Sequence, residues 1–464
     1  INFVKSFNSK TERFHILLNN KEIKKIEKQK QHFSDKKVII KKLAKWQKGK
    51  LRRNNEEYDI KIKLKGMFLD EFEFKDQRFS YSIKRNKKKI KNMSRFFIHY
   101  PEKRLKLHEW YGDQLLKYAG LIYHENDFIS LKINEDKEEL YLLEEKSSVQ
   151  TLKRNKRPMG PIISFSTEKL RKSNQEKQHK QIKNNYSEAY YQSEIKPLFK
   201  DTHNLRAIQL LENYRSGELP PEKVFNMDKT ARLFALAELV GYIHQLQFHN
   251  IKFYYNPDED RLEPIANDFQ FSLLSNWTSG LLTIDGFLNS NKHIVFPFSQ
   301  KLLKNQKFIN LVFKKLNIYR KSSFMEGFLK NIKNQEEEAK TAISVFDPFY
   351  VPQISFYLKQ NIKHINYIIE SKEELKFFKF LDKDTVINFK IKNYKPLIPI
   401  SILKEKEIVY NFKNEKNYPS KKVNEPIKKY SFKIINSKIS KNDSNLYFIY
   451  TLLGEEGNKT SKIH

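Results

Sequence analysis

The first half of the chain alternates between apolar and polar positions in several short stretches. In residues 58–65, four apolar side chains alternate with one aspartate and three lysines, and Gly66 follows. Residues 79–84 repeat this pattern with Phe79, Tyr81 and Ile83. A period of two is typical of a strand that buries one face. Further strands are predicted at residues 95–99, 127–133 and 139–143.

An amphipathic helix is predicted between these strands. Residues 103–118 place Trp110 and Leu115 at helical spacing, and Gly120 follows as a stop signal. The strands and this helix together predict a small α+β domain over residues 56–146.

The rest of the chain divides into three parts. Residues 1–55 are very basic and helical in tendency, which predicts an arm. This arm either docks a short apolar seam on a neighbouring domain or holds a polyanion. Residues 147–345 are predicted to be mainly helical with a hairpin at 251–268, and residues 346–464 to be β-rich.

A further helix of the central part is predicted over residues 229–248. Asp228 precedes it and is a suitable N-cap residue. The apolar positions Leu233, Leu236 and Val240 indicate that this helix is largely buried.

Composition limits the class of protein. The chain has 464 residues, of which 39% are hydrophobic and 14% aromatic, so two or three domains with real cores are expected. It has no cysteine, which excludes disulfides, thiolate zinc sites and cysteine nucleophiles. No apolar run is long enough to span a membrane.

The net charge of +33 has two interpretations. A strongly basic chain can hold a polyanion such as nucleic acid, an acidic polysaccharide or an anionic surface. Alternatively, the excess of Lys over Arg, together with frequent Asn, Ile and Phe, reflects an AT-rich genome. No helix-turn-helix, zinc-finger or aromatic RNA-binding motif supports a protein that recognises nucleic-acid sequence.

The hairpin at 251–268 carries the most specific chemistry. Asn250 precedes its first strand and Asp268 follows its second, so one amide oxygen and one carboxylate can point to the same place. Hard oxygen ligands of this kind suit Mg²⁺ bound with a nucleotide phosphate.

Several short motifs, in this order and spacing, resemble the CotH family of atypical, secreted-type protein kinases. They are Lys63-Leu64-Lys65-Gly66, residues 79–84, Glu109-Trp110, residues 140–145, Gly160-Pro161-Ile162-Ile163 and the stretch 248–268. The resemblance implies a divergent two-lobed protein-kinase-like fold with a β-rich C-terminal extension. It also implies ATP and Mg²⁺ in the cleft between the lobes.

The resemblance assigns roles to five residues. A basic residue of the second strand would hold nucleotide phosphates: Arg78 stands at its start, where the family has a lysine, and Lys84 at its end. Glu109 would orient that basic residue, and Asn250 and Asp268 match the metal-binding positions. For Arg78, Lys84 and Glu109, an ordinary surface charge or ion pair is the alternative interpretation.

The chain departs from the family pattern at the expected catalytic base. Residues 241–249 contain no carboxylate, and His244 or His249 stands where an aspartate is expected. A neutral imidazole can accept a proton near pH 7, but a structural histidine is the alternative. Gln270 replaces a second acidic residue that the family usually has after the metal-binding aspartate.

Two functions therefore remain open from the sequence. The first is a kinase that binds ATP-Mg²⁺ and phosphorylates Ser or Thr of an extracellular or cell-envelope protein, although a cytoplasmic location is not excluded. The second is an inactive kinase-fold module whose basic surface holds a polyanion or an assembly partner.

Overall fold

A computed structural model gives the fold of most of the chain. The residues that the structure describes are 11–36, 44–65, 72–73, 78–85, 89–104, 106–165, 191–193, 201–246, 250–272, 297–303, 305–370, 386–390, 397–411, 429–433, 445–452 and 457–462. They mix helices and strands, which confirms the α+β class.

Strands of the first part form a closed barrel. They are β1 (Glu12–Leu17), β2 (Gln47–Arg53), β3 (Glu56–Lys65), β4 (Phe72–Glu73), β5 (Arg78–Lys84), β6 (Arg95–His99), β7 (Asn126–Ile133) and β8 (Glu139–Glu145). All except β4 follow the order β3-β2-β1-β7-β8-β6-β5, and β3 pairs with β5 to close the ring. Closure pairs both sides of these strands, so the ring has no open edge.

The apolar side chains whose alternation predicted the strands fill the barrel interior. Tyr58, Ile62 and Leu64 of β3 and Tyr81 of β5 are buried in one core cluster. Their polar neighbours along each strand face outward, because successive side chains of a strand point to opposite faces.

The range predicted as a helical arm contributes two strands to the barrel. Within residues 1–55, the helix α1 (Asn20–Lys36) lies between β1 and β2, and both strands pair with barrel neighbours. The pattern of β2 is hidden because it buries only Gln47 and Leu51, and its other positions are Gly49 and four basic residues.

A second core lies between the barrel and the helices. Leu140 and Leu142 of β8 belong to it, whereas Tyr141 and Leu143 belong to the barrel core. The two faces of β8 therefore serve different cores. The helix α2 (Leu107–Tyr118) packs in the second core, against the outer face of the barrel.

The central part is mainly helical. Its helices are α3 (Val149–Arg154), α4 (Asp201–Ser216), α5 (Pro221–Val224), α6 (Met227–Val240), α7 (Pro297–Leu303), α8 (Gln306–Tyr319) and α9 (Ser322–Ser344). Its strands are β9 (Ile162–Phe165), β10 (Tyr191–Ser193), β11 (Lys252–Asn256) and β12 (Arg261–Ile265). They form a sheet in the order β10-β9-β11-β12.

The helix predicted over 229–248 begins earlier, at Met227, and ends earlier, at Val240. The N-cap of α6 is Asn226, whose side chain accepts a hydrogen bond from the backbone N–H of Lys229. Asp228 lies inside the first turn instead. The helix ends because Gly241 adopts φ of 68°, the left-handed conformation that favours glycine.

The last part contains one more helix and further strands. The helix α10 (Ile354–Glu370) lies inside the range that was predicted to be β-rich, so that prediction is wrong for these residues. The strands are β13 (Val386–Lys390), β14 (Leu397–Lys404), β15 (Glu407–Asn411), β16 (Lys429–Lys433), β17 (Leu446–Leu452) and β18 (Lys459–Lys462). Of the helices described, none has the length and apolar character that crossing a bilayer requires.

Candidate functional site

The β11–β12 hairpin places the backbones of the two predicted metal ligands near each other. Lys252 pairs with Ile265, and two residues beyond this pair the same register places Asn250 opposite Asn267. The Asn267 side-chain amide donates a hydrogen bond to the backbone oxygen of Asn250. Asp268 follows directly with φ of 54°, a left-handed conformation that aspartate tolerates better than most residues.

His244 fixes the orientation of the Asn250 side chain. The Asn250 Nδ2 atom lies 2.8 Å from His244 Nδ1 and 3.2 Å from the His244 backbone oxygen. A backbone oxygen can only accept, so the amide NH₂ group must face His244. The Oδ1 atom of Asn250 consequently points to the other side, where it can serve as an oxygen ligand.

The same contact defines the tautomer of His244. Since Nδ1 accepts from Asn250, a neutral His244 ring carries its proton on Nε2. Neither ring nitrogen then holds a lone pair that is free to take a substrate proton. This geometry fits a positioning role for His244, and the base role of His249 stays a prediction because His249 lies outside the described residues.

The helix α2 packs directly on the segment after Asp268. A Cβ atom at Gly112 would lie 1.8 Å from the Phe269 backbone oxygen, so only glycine permits this approach. One turn earlier, the His108 Nδ1 atom donates to the Phe271 backbone oxygen at 3.0 Å. Burial lowers the pKa of His108, which favours this neutral donor form. The helix that carries Glu109 is therefore held against the segment that follows Asp268.

Two buried carboxylates lie one helical turn apart on α2. Glu109 and Asp113 have a spacing that places both on one face, and both are buried. The Asn126 side-chain amide donates to Asp113 at 2.7 Å. Burial, followed by the charges of Glu109 and Glu144, raises the pKa of Asp113 well above its usual range. Acidic side chains are thus concentrated where α2 meets the barrel, and the protonated form of Asp113 is favoured there.

The outer face of the barrel adds a cation to this cluster. His99 of β6 lies 2.6 Å from the Glu144 carboxylate, and Lys65 Nζ lies 3.2 Å from His99 Nε2. The Lys65 ammonium also lies 4.3 Å from the centroid of the Phe97 ring. Lys65, His99 and Glu144 come from three different strands, and the charge of Glu144 acts on Asp113 of α2. None of Lys65, His99 and Glu144 was predicted as a site residue from the sequence.

The two basic residues proposed from the sequence lie at opposite ends of β5. Arg78 Nε lies 3.1 Å from Glu139 Oε1, and its guanidinium lies over the Tyr100 ring. Lys84 lies over the Trp46 ring at 4.4 Å. Six residues of extended strand separate their Cα atoms by about 20 Å. A single phosphate group therefore cannot contact both residues.

A hydrogen bond connects the hairpin to the segment after β8. Lys252 Nζ donates to Ser147 Oγ at 3.0 Å, and the same hydroxyl lies 2.8 Å from His124 Nε2. The C-terminal end of α2 is held by Arg232, which donates a hydrogen bond to the Ala119 backbone oxygen at 2.9 Å. Cations at a helix C-terminus are favourable because the carbonyl groups there carry partial negative charge. Both the hairpin and α2 are thereby fixed to their neighbours.

The donor set suits a hard cation that also binds phosphate. Asn250 and Asp268 could supply an amide oxygen and a carboxylate. Gln270 is buried and is an amide, so it provides no second carboxylate. Within the part of the chain that the structure describes, no cluster of three or more His, Cys, Asp or Glu side chains could hold a metal by itself. Mg²⁺ commonly takes one or two protein ligands and completes its shell with water and phosphate oxygens.

Comparison with protein families gives one result. Residues 61–374, more than half of the chain, match the family of CotH kinase proteins. The chain belongs to the CotH family. The match begins inside β3 and includes the later barrel strands, α2 and the β11–β12 hairpin, so all site residues described above lie within it. No curated protein sequence matched the chain. Family membership indicates a kinase-like protein.

Proposed function

We propose that this CotH protein binds ATP-Mg²⁺ between the outer face of its barrel and the β11–β12 hairpin, and transfers phosphate to Ser or Thr of another protein. The observation that carries the proposal is the pairing of Asn250 with Asn267. It holds the backbones of Asn250 and Asp268 on adjoining parts of one hairpin, and α2 packs on the next residue, Phe269.

Each side chain has a task in this proposal. Asn250 and Asp268 hold Mg²⁺, which neutralises charge on the phosphate oxygens when it is bound. Lys65 is the proposed phosphate contact, since it lies beside the buried Glu144 cluster. Glu109 supports this region from α2. His244 holds the amide of Asn250 in the orientation that a cation requires.

The reaction forms a bond between the acceptor hydroxyl oxygen and the γ-phosphorus. It breaks the bond between that phosphorus and the bridging oxygen, and ADP leaves. The hydroxyl proton passes to His249 or to solvent, because His244 Nδ1 is engaged by Asn250. Phosphoryl transfer depends mainly on positioning and charge neutralisation, so a weak base slows the reaction without abolishing it.

The proposed substrate is a protein of the cell envelope or exterior. The test uses γ-labelled ATP, Mg²⁺ or Mn²⁺ and a generic protein acceptor. We expect wild type to label the acceptor or itself and Asp268→Ala to lose the label. The matched control is Asp258→Ala, which removes an exposed carboxylate from the turn of the same hairpin. Equal labelling by Asp268→Ala and Asp258→Ala would show that Asp268 is not a ligand.

The second candidate is an inactive kinase-fold module that binds a partner. The absence of a carboxylate in residues 241–249 and the engaged Nδ1 of His244 favour it. This candidate predicts binding of ATP-Mg²⁺ without transfer of label, or no nucleotide binding at all. Labelling that requires Asp268 would exclude it.

A further inference from the structure

A row of basic side chains crosses four adjacent strands of the barrel. In the strand register, Lys48 of β2 is opposite Lys61 of β3, Lys61 is opposite Lys84 of β5, and Lys84 is opposite Arg95 of β6. Neighbouring strands lie about 4.8 Å apart, so the row extends over about 14 Å. We call these four residues the basic row.

The basic row faces outward and is electrostatically unfavourable by itself. Its members alternate along their strands with interior residues such as Ile60 and Ile83, which are buried. Like charges directly opposite each other on a sheet destabilise it. Burial, and after it the charges of Arg95 and Lys61, lowers the pKa of Lys84. Among the described residues, no carboxylate forms an ion pair with any member of the row.

A depression of about 290 Å³ lies along the basic row. Lys48, Lys61, Lys84 and the neighbouring Arg85 line it, and Asp59 is its acidic residue. The Nε and Nη1 atoms of Arg85 are buried and have no hydrogen-bond acceptor among the described residues. The Arg85 guanidinium lies over the ring of the buried Tyr58, 4.6 Å from its centroid, and a partner on the surface cannot reach these enclosed atoms, so the four residues of the row supply the cations for docking.

Trp46 lies at the edge of the row and is covered by cations. Lys63, Lys84 and Arg95 lie 5.0, 4.4 and 5.4 Å from its ring centroid. Proteins that bind single-stranded nucleic acid stack bases on open aromatic rings. An indole already occupied by three cations is a poor stacking platform, which favours an anionic partner without bases.

We propose that the basic row is a docking site for an acidic peptide segment of a partner protein. A peptide in extended conformation spans the 14 Å of the row with about four or five residues, and its carboxylates can neutralise the opposed cations. The row shares the outer face of the barrel with Lys65, which lies four residues after Lys61 in the same strand, but it contains none of the residues proposed to hold ATP-Mg²⁺. Docking there does not require phosphoryl transfer.

The test compares two variants with equal loss of charge. The row variant is Lys48→Gln/Lys61→Gln/Arg95→Gln. The control is Lys21→Gln/Lys24→Gln/Lys28→Gln, which removes three exposed lysines from α1. Binding of a fluorescent oligoglutamate peptide is measured for both by anisotropy, with a single-stranded oligonucleotide of equal charge as competitor.

We expect the row variant to bind the peptide about tenfold more weakly and the control to stay close to wild type, since three partly exposed ion pairs together contribute about 1.4 kcal/mol. The urea midpoint of the row variant should equal or exceed that of wild type, because it relieves repulsion. A urea midpoint at or above that of wild type would confirm that the row variant is folded.

Three results would overturn the docking proposal. They are an equal loss in both variants, no loss in the row variant, and an oligonucleotide that binds more tightly than the peptide through the same three residues. The shift in melting temperature caused by ATP-Mg²⁺ is measured on the same samples. Failure of that shift in wild type would count against the proposed nucleotide site and not against docking.

Discussion

The contact between α2 and the segment after Asp268 makes a quantitative prediction for Gly112→Ala. In a helix interior, alanine is normally more stable than glycine by about 1 kcal/mol. At Gly112, however, the new Cβ atom would lie 1.8 Å from the Phe269 backbone oxygen and 2.7 Å from its carbonyl carbon. Backbone atoms cannot rotate away, so α2 and residues 268–270 must separate.

The magnitude follows from these two opposing effects. Overpacking of this kind costs about 1–3 kcal/mol, and contact with backbone places Gly112→Ala at the upper end. After subtraction of the gain in helix propensity, we expect a net loss of about 2 kcal/mol in the free energy of unfolding. Because the displaced segment contains Asp268, affinity for ATP-Mg²⁺ should also fall.

Gly327→Ala is the matched control. Gly327 is also in a helix interior, α9, but its new Cβ atom would meet the Tyr118 hydroxyl oxygen at 2.5 Å, the far end of a side chain that can move. Urea unfolding and calorimetric ATP-Mg²⁺ binding are measured for both variants. A Gly112→Ala protein that is as stable as Gly327→Ala and binds nucleotide like wild type would refute the proposed contact between α2 and the site.

Three further predictions concern single side chains. Asn267→Ala removes the hydrogen bond to Asn250, so it should weaken ATP-Mg²⁺ binding at a stability cost of about 1 kcal/mol; unchanged calorimetric affinity would contradict this. His244→Ala frees the Asn250 amide, and we expect a higher dissociation constant for Mn²⁺ by titration; a lower turnover with unchanged Mn²⁺ affinity would instead indicate a base. Burial raises the pKa of Asp113, so the folded chain binds this proton more tightly than the unfolded chain, and stability is lost as pH rises above the ordinary value of 3.8. Asp113→Asn should abolish that loss in urea unfolding at a series of pH values, and an identical pH slope in both proteins would contradict it.

The sequence predicted those features that depend on local pattern. Alternation identified most strands of the barrel, and the strand and turn signals predicted the hairpin that Asn250 precedes and Asp268 follows, whereas the role of these two residues as oxygen ligands stays a prediction. Both predictions rest on interactions between residues close together in the chain, where a short pattern determines the geometry.

The parts that the sequence did not predict depend on pairing between distant strands. Lys65, His99 and Glu144 meet because β3, β5, β6 and β8 pair in a particular register, which no short pattern contains. The basic row was hidden for the same reason, since Lys48 and Arg95 are 47 positions apart in the sequence. The helical interpretation of residues 1–55 failed for β2 because Leu51 is the only apolar residue among its inward positions, so its period of two is concealed.

The basic residue at the phosphates was assigned from family resemblance to Arg78 or Lys84. The structure places Arg78 beside Glu139 and Lys84 beside Trp46, whereas Lys65 lies next to the His99 and Glu144 pair. Position along a strand alone could not distinguish these lysines and arginines. Their neighbours across the sheet do so, which is why we propose Lys65 as the phosphate contact.

The most direct test of the nucleotide site is calorimetric titration of ATP into wild type, Asp268→Ala and Asp258→Ala, each with Mg²⁺ and with EDTA. The account predicts that wild type and Asp258→Ala bind ATP more tightly with Mg²⁺ than with EDTA, and that Asp268→Ala shows no such difference. Equal dependence on Mg²⁺ in all three proteins, or no ATP binding by wild type, would contradict it.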